Sequence, residues 1–175
     1  MLNCKISKGV EQACDTSIGG ILRLAFANWD DSYTFTQSSG SCEIDTIDLS
    51  GEKVYEVNFL DGSGLAEVEL NVGDSRDKKN YTHRVTLNFA KLDCSMLEQY
   101  KNWSLAHLIA FVQTKDGQVY AFGVDNGLAA TTFNYSSGSA ETDSSLINAV
   151  FEGIALDAPL KIESWSVVKA LFPSN

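Results

Sequence analysis

A mainly β fold, an antiparallel sandwich or small barrel with one flanking α-helix, is what the sequence predicts. Three observations carry it. Apolar and polar residues alternate with period two over several short runs, the signature of half-buried strands. Glycine-containing turns separate those runs at short intervals, as in sandwiches and barrels. Helical spacing with a start signal occurs once, after Ser95.

The first strand runs from Gly19 to Trp29, and Asp30-Asp31-Ser32 turns the chain after it. Polar residues from Gln37 to Ser41 lead into a run over Cys42–Leu49, where Ile44 and Ile47 sit among Asp45, Thr46 and Asp48. Ser50-Gly51 breaks that run. Lys53–Phe59 alternates, with Tyr55, Val57 and Phe59 on one face. After Asp61-Gly62-Ser63-Gly64, Ala66, Val68, Leu70 and Val72 share one face opposite Glu67, Glu69 and Asn71. Two such runs around a glycine loop predict a β-hairpin. The charged stretch Gly73–Asn80 follows. Then Tyr81–Phe89 alternates with Val85, Leu87 and Phe89 inward.

Ser95-x-x-Glu98 reads as a capping box, and Met96, Leu97, Tyr100 and Trp103 recur at helical spacing. A helix over about 95–104, packed on the sheet by that stripe, is expected. Ala106–Thr114 is a buried strand. Lys115-Asp116-Gly117-Gln118 suits a type I′ hairpin turn and Val119–Val124 returns. Leu128–Tyr135 and Leu146–Leu156 are further strands, with a polar loop over Ser136–Ser145 between them. About eight strands are expected in all. Residues 1–160 read as one domain with an N-terminal arm over about 1–17, and 161–175 as an apolar C-terminal tail. That tail holds Trp165, Val168, Leu171 and Phe172, which are expected to dock on their own domain or on a neighbour.

Composition narrows the function classes. A chain of 175 residues with 13 Lys+Arg and 23 Asp+Glu has a net charge of −10. Sequence-reading nucleic-acid binding needs a basic patch to displace counterions, and the balance here is opposite. Apolar runs fall short of the roughly 20 residues of a membrane span, so no membrane anchor is expected. The start Met1–Lys8 lacks the apolar stretch of about 7–15 residues of a secretory signal. Cys4, Cys14, Cys42 and Cys94 contain no Cys-x-x-Cys pair, which zinc sites usually show. Reduced thiols are the expectation, with a Cys4–Cys14 disulfide as the alternative.

Catalytic signatures are missing. There is no Gly-x-Gly-x-x-Gly, phosphate loop, His-Glu-x-x-His or Gly-x-Ser-x-Gly, the patterns that carry nucleotide, metal and acyl chemistry. His83, read as outward on its strand, and His107 have no nucleophile or orienter at motif spacing. Acidic pairs such as Asp30-Asp31, Glu67/Glu69 and Asp74/Asp77 fit a solvated acidic face better than a two-carboxylate site. A non-enzymatic chain without cofactor or metal is therefore expected.

From Val112 the chain reads V-Q-T-K-D-G-Q-V-Y-A-F-G-V-D-N-G-L, then Ser137-Gly138, Asp143, and F-E-G-I-A-L-D-A-P to Pro159. Near the start stand Cys14-Asp15-Thr16-Ser17-Ile18-Gly19-Gly20-Ile21 and Trp29-Asp30-Asp31. In this order the pattern resembles the tail-tube-like virion proteins of phages that infect Bacteroidota, relatives of the type VI secretion tube. The resemblance covers roughly residues 4–160 and rests on glycine turns and strand patterns. It implies a self-assembling, non-enzymatic subunit of hexameric rings, built in the bacterial host cytoplasm and carried in the virion beside other tail proteins. DNA would be a non-specific passenger. Residues 165–175 lie beyond the pattern, which leaves tube, terminator, hub and connector roles open. The mixed-charge loop with Asp74, Arg76, Asp77, Lys78 and Lys79 is the expected ring-to-ring contact, and Trp165, Val168, Leu171 and Phe172 the expected docking surface. The alternative from a different class is a carbohydrate-binding or adhesive sandwich, with Trp29, Trp103, Trp165 and the tyrosines as stacking platforms.

Overall fold

The computed structural model describes residues 18–37, 39–73, 79–90, 94–137 and 146–173. The chain is a β-sandwich with short flanking helices, not a closed barrel. Its strands are β1 (Ile21–Asn28), β2 (Thr34–Gln37), β3 (Ile44–Asp48), β4 (Tyr55–Glu56), β5 (Leu65–Val72), β6 (Lys79–Phe89), β7 (Leu108–Thr114), β8 (Val119–Phe122), β9 (Ala129–Ser136), β10 (Leu146–Ala155) and β11 (Leu160–Ile162). The helices are α1 (Cys94–Leu105) and α2 (Trp165–Lys169).

Seven strands form one sheet in the order β2-β3-β11-β8-β7-β1-β4, and four form the other in the order β5-β6-β10-β9. The first core lies between them, around Leu24, Phe26, Val85, Leu87, Leu128 and Phe151. A second core lies on the far side of the seven-stranded sheet, around Ala25, Ile109, Phe111, Ile162, Trp165 and Val168. The sequence of β7 explains why both exist. Leu108–Val112 is apolar at every position and wholly buried. Successive side chains point to opposite faces, so such a strand needs cover on both.

That second cover comes from the C-terminal segment. Leu160–Ile162 adds β11 to the sheet, antiparallel to β8 and parallel to β3. Helix α2 then lays Trp165 and Val168 over the sheet, and the Phe172 ring meets Trp165 edge-on at 6.3 Å. The Leu171 carbonyl accepts from the Val54 amide at 3.2 Å. The segment from residue 160 is thus part of the sandwich.

Several expectations change. The hairpin expected from the runs at 53–59 and 66–72 does not form. β4 is two residues long and pairs with β1, whereas β5 pairs with β6 in the other sheet. The loop between them crosses the sandwich, and Gly64 permits the crossing. A Cβ there would stand 2.7 Å from the Phe59 ring and 3.0 Å from Ile21 Cβ. The β7–β8 turn is not type I′, which needs positive φ at both central residues. Only Gly117 has positive φ in that turn, and its N–H returns to the Thr114 carbonyl at 3.0 Å. α1 extends one residue beyond 95–104 at each end, within the usual scatter of helix ends. Of its expected stripe, Met96 and Trp103 pack on the first core, but Leu97 is exposed. β2 was not foreseen.

Candidate functional site

The most distinctive surface belongs to the four-stranded sheet. β5, β6, β10 and β9 are antiparallel at every step. Register sorts their side chains into two faces. The inner face carries Val85, Leu87 and Phe89 of β6 against Ile147, Ala149 and Phe151 of β10, all buried.

The outer face mixes polar side chains with Leu65, Val150 and Ile154. One row places Glu67, Arg84 and Glu152 side by side, and the next places Glu69 and Thr82 beside Ile154. Asn88, Asn148 and Asn134 form another row. Arg84 Nε donates to Glu152 Oε2 at 2.8 Å, with Glu67 Oε2 at 4.0 Å. The Glu152 carboxylate raises the Arg84 guanidinium above its ordinary value. Asn148 Nδ2 donates to Asn88 Oδ1 at 2.9 Å, and Asn71 Nδ2 to Thr82 Oγ1 at 2.7 Å. The charged side chains of this face are three carboxylates and one guanidinium, in keeping with the net charge of −10.

β5 is an edge strand of this sheet. Val68, Leu70 and Val72 lie in the inward register, opposite His83, Tyr81 and Lys79. Yet they are 41%, 49% and 61% exposed. β5 there makes an arm with an exposed apolar row. A further recess, about 1000 Å³, lies at the other end of β6 between Phe89, β1, β4 and α1, with Phe26 and Trp103 at its floor and Asn58 and Asn102 at its mouth.

Asp74, Arg76, Asp77 and Lys78 lie outside the described residues. Lys79 is exposed at the start of β6, opposite Val72 at the base of that loop. Trp165 and Val168 are buried in the second core, with Leu171 and Phe172 packed against it. Their apolar surface is therefore covered by this chain's own sheet. Cys4 and Cys14 also lie outside the described residues, and Cys42 and Cys94 are exposed thiols.

His83 requires a correction. It was expected on the outward face but is 2% exposed and inward. The parity of Val85, Leu87 and Phe89 already placed residue 83 with them. His107 is exposed, one residue before β7. None of the three tryptophans is exposed. Trp165 is buried, Trp103 packs among Phe26, Phe89 and Phe151, and Trp29 Nε1 donates to the Val124 carbonyl at 2.8 Å. The tryptophans thus serve the cores, while Tyr55, Tyr100 and Tyr135 are exposed.

No protein-family model, curated protein or solved structure matches the chain. Among the described residues no helix is long and apolar enough to cross a membrane, and no group of three or more His, Cys, Asp or Glu is placed to hold a metal ion.

Proposed function

We propose that the chain is a structural subunit that assembles with copies of itself, edge to edge, into a ring, in the manner of the tail-tube-like virion proteins it resembles. One observation carries the reading. The four-stranded sheet has an even number of antiparallel strands and ends at β5 on one side and β9 on the other. β5 and β9 therefore run in opposite directions. A second copy in the same orientation, related by rotation, brings its β5 antiparallel to the first copy's β9. The alternation continues, and the outer face stays on one side throughout. Closing such a head-to-tail contact by rotation makes a ring and removes the open sheet edges.

The face chemistry supports the same reading. Glu67, Glu69 and Glu152 would line a conduit, where like charge keeps DNA moving without adhesion. The apolar arm of Val68, Leu70 and Val72 offers surface that a neighbouring copy would cover. An exposed apolar patch of this kind usually marks an interaction site. The partners are then further copies and other tail proteins, with DNA as passenger and the virion as the site of action.

Negative-stain imaging of concentrated protein tests this. Closed rings or stacked tubes are the expected result. Monodisperse particles the size of one chain would overturn it.

A further inference from the structure

His83 sits where two of the four connections between the sheets come together. The chain passes from the seven-stranded to the four-stranded sheet through residues 123–128, between β8 and β9. It returns through residues 156–159, between β10 and β11. The Gly123 amide donates to His83 Nδ1 at 3.1 Å. With Nδ1 accepting, the neutral ring carries its proton on Nε2, which donates to the Asp157 carbonyl at 3.0 Å. One imidazole on β6 thus holds both crossovers, and both of its nitrogens are used. The Phe122 ring packs against it at 5.6 Å.

Gly123 has φ +73, and a Cβ there would stand 2.6 Å from Leu128 Cγ, so the turn that presents its amide to the ring requires glycine. Opposite His83 stand Val68 on β5 and Gly153 on β10, neither titratable. Glu67, Glu69, Arg84 and Glu152 occupy the other face of the sheet. The charged group on the crossover itself is Asp125, whose Oδ2 accepts from the Leu156 amide at 2.9 Å and the Asp157 amide at 3.4 Å.

We propose that His83 is an acid-sensitive bolt that holds the two crossovers together when neutral and releases the β8–β9 crossover when protonated. A proton added at Nδ1 converts the acceptor to a donor, so two N–H groups face each other where one bond stood. The Asp157 bond survives, because Nε2 remains a donor. Opening is therefore directional and begins at Gly123, while Val124 and Leu128 stay bonded to Trp29 and Leu108. Burial favours the neutral ring and depresses its titration, while the Asp157 carbonyl and the Asp125 carboxylate pull the other way. A group depressed by folding contributes stability that is present above its unfolded value and is lost as pH falls through it. For histidine that value is about 6.5, so the loss begins just below neutrality. The device holds for a single chain and for an assembled ring alike.

Hydrogen exchange of the full chain at pH 7.5 and pH 5.5 tests it, with rates expressed as protection factors. In the wild type, Gly123 protection is expected to fall about tenfold across that interval, the ratio set by protonating an exposed imidazole in the open form. Leu24 and Phe111 amides should change less than about twofold, because the global core does not open with the bolt. In His83→Asn, whose side-chain oxygen accepts but does not titrate, Gly123 protection should stay flat. Should that variant fail to fold, the imidazole nitrogen signals of the wild type decide alone. An Nε2–H tautomer that titrates below 6.5, in step with Gly123 exchange, supports the bolt. Titration at an ordinary value, or Gly123 protection unchanged between the two pH values, overturns it.

Discussion

The two sheets use their strands differently. The seven-stranded sheet is covered on both faces, with β1 buried over Leu24–Ala27 and β7 over Leu108–Val112. The four-stranded sheet has one face in the core, and its outer face carries Asn, Thr, Glu and Arg with Leu65, Val150 and Ile154 among them. An antiparallel sheet tolerates one wet face. The lesson lies in the arm, where Val68, Leu70 and Val72 keep an inward register yet stand exposed. Both sheets share the first core, the seven-stranded sheet alone buries the second, and on the proposed reading the four-stranded sheet provides the surface for contact.

Truncation in the second core should break the comparison most severely. Trp165→Ala removes a buried ring that covers Val168 and the sheet beneath. A loss of about 3–5 kcal/mol is expected, read by urea unfolding, and this alone would unfold a marginal domain. If the C-terminal segment were a detachable tail, the loss would stay within the roughly 0.5 kcal/mol usual for surface changes.

Next in size is Gly64→Ala. The added methyl meets the Phe59 ring and Ile21 at the inter-sheet crossing. Overpacking of this kind costs about 1–3 kcal/mol, and a drop in Tm should report it. The arm should behave in the opposite way. Val68→Lys with Leu70→Lys is expected to change stability by less than about 0.5 kcal/mol, because both positions are exposed. The same pair should abolish self-association, since charges on an edge strand blunt pairing. Smallest of all is Glu152→Gln. It removes the partner of Arg84 on an exposed face, where ion pairs contribute little, and Tm should stay within measurement error while the net charge of the face rises.

Much of the fold was legible in sequence for a physical reason. Period-two alternation reports a strand with one wet face, and β6 shows it plainly. Val85, Leu87 and Phe89 also located His83, had parity been followed one step back. What could not be read was which strands pair. Lys53–Phe59 and Ala66–Val72 look like hairpin partners locally, yet the steric demand at Gly64 and the pairing of β4 with β1 send them to different sheets. Alternation on β5 likewise marked Val68, Leu70 and Val72 as a face, but not that this face stands exposed at the sheet edge. The C-terminal segment read as apolar without saying what it covers. Its reason lies in β7, whose second face needs burial.

Light scattering with size separation, over a hundredfold range of concentration, tests the central claim most directly. The wild-type chain should pass from the mass of one subunit to a single closed multiple of it, and the Val68→Lys, Leu70→Lys chain should remain at one subunit throughout. A wild-type mass that stays at 19.1 kDa at every concentration and salt would contradict the claim that the four-stranded sheet is an assembly surface.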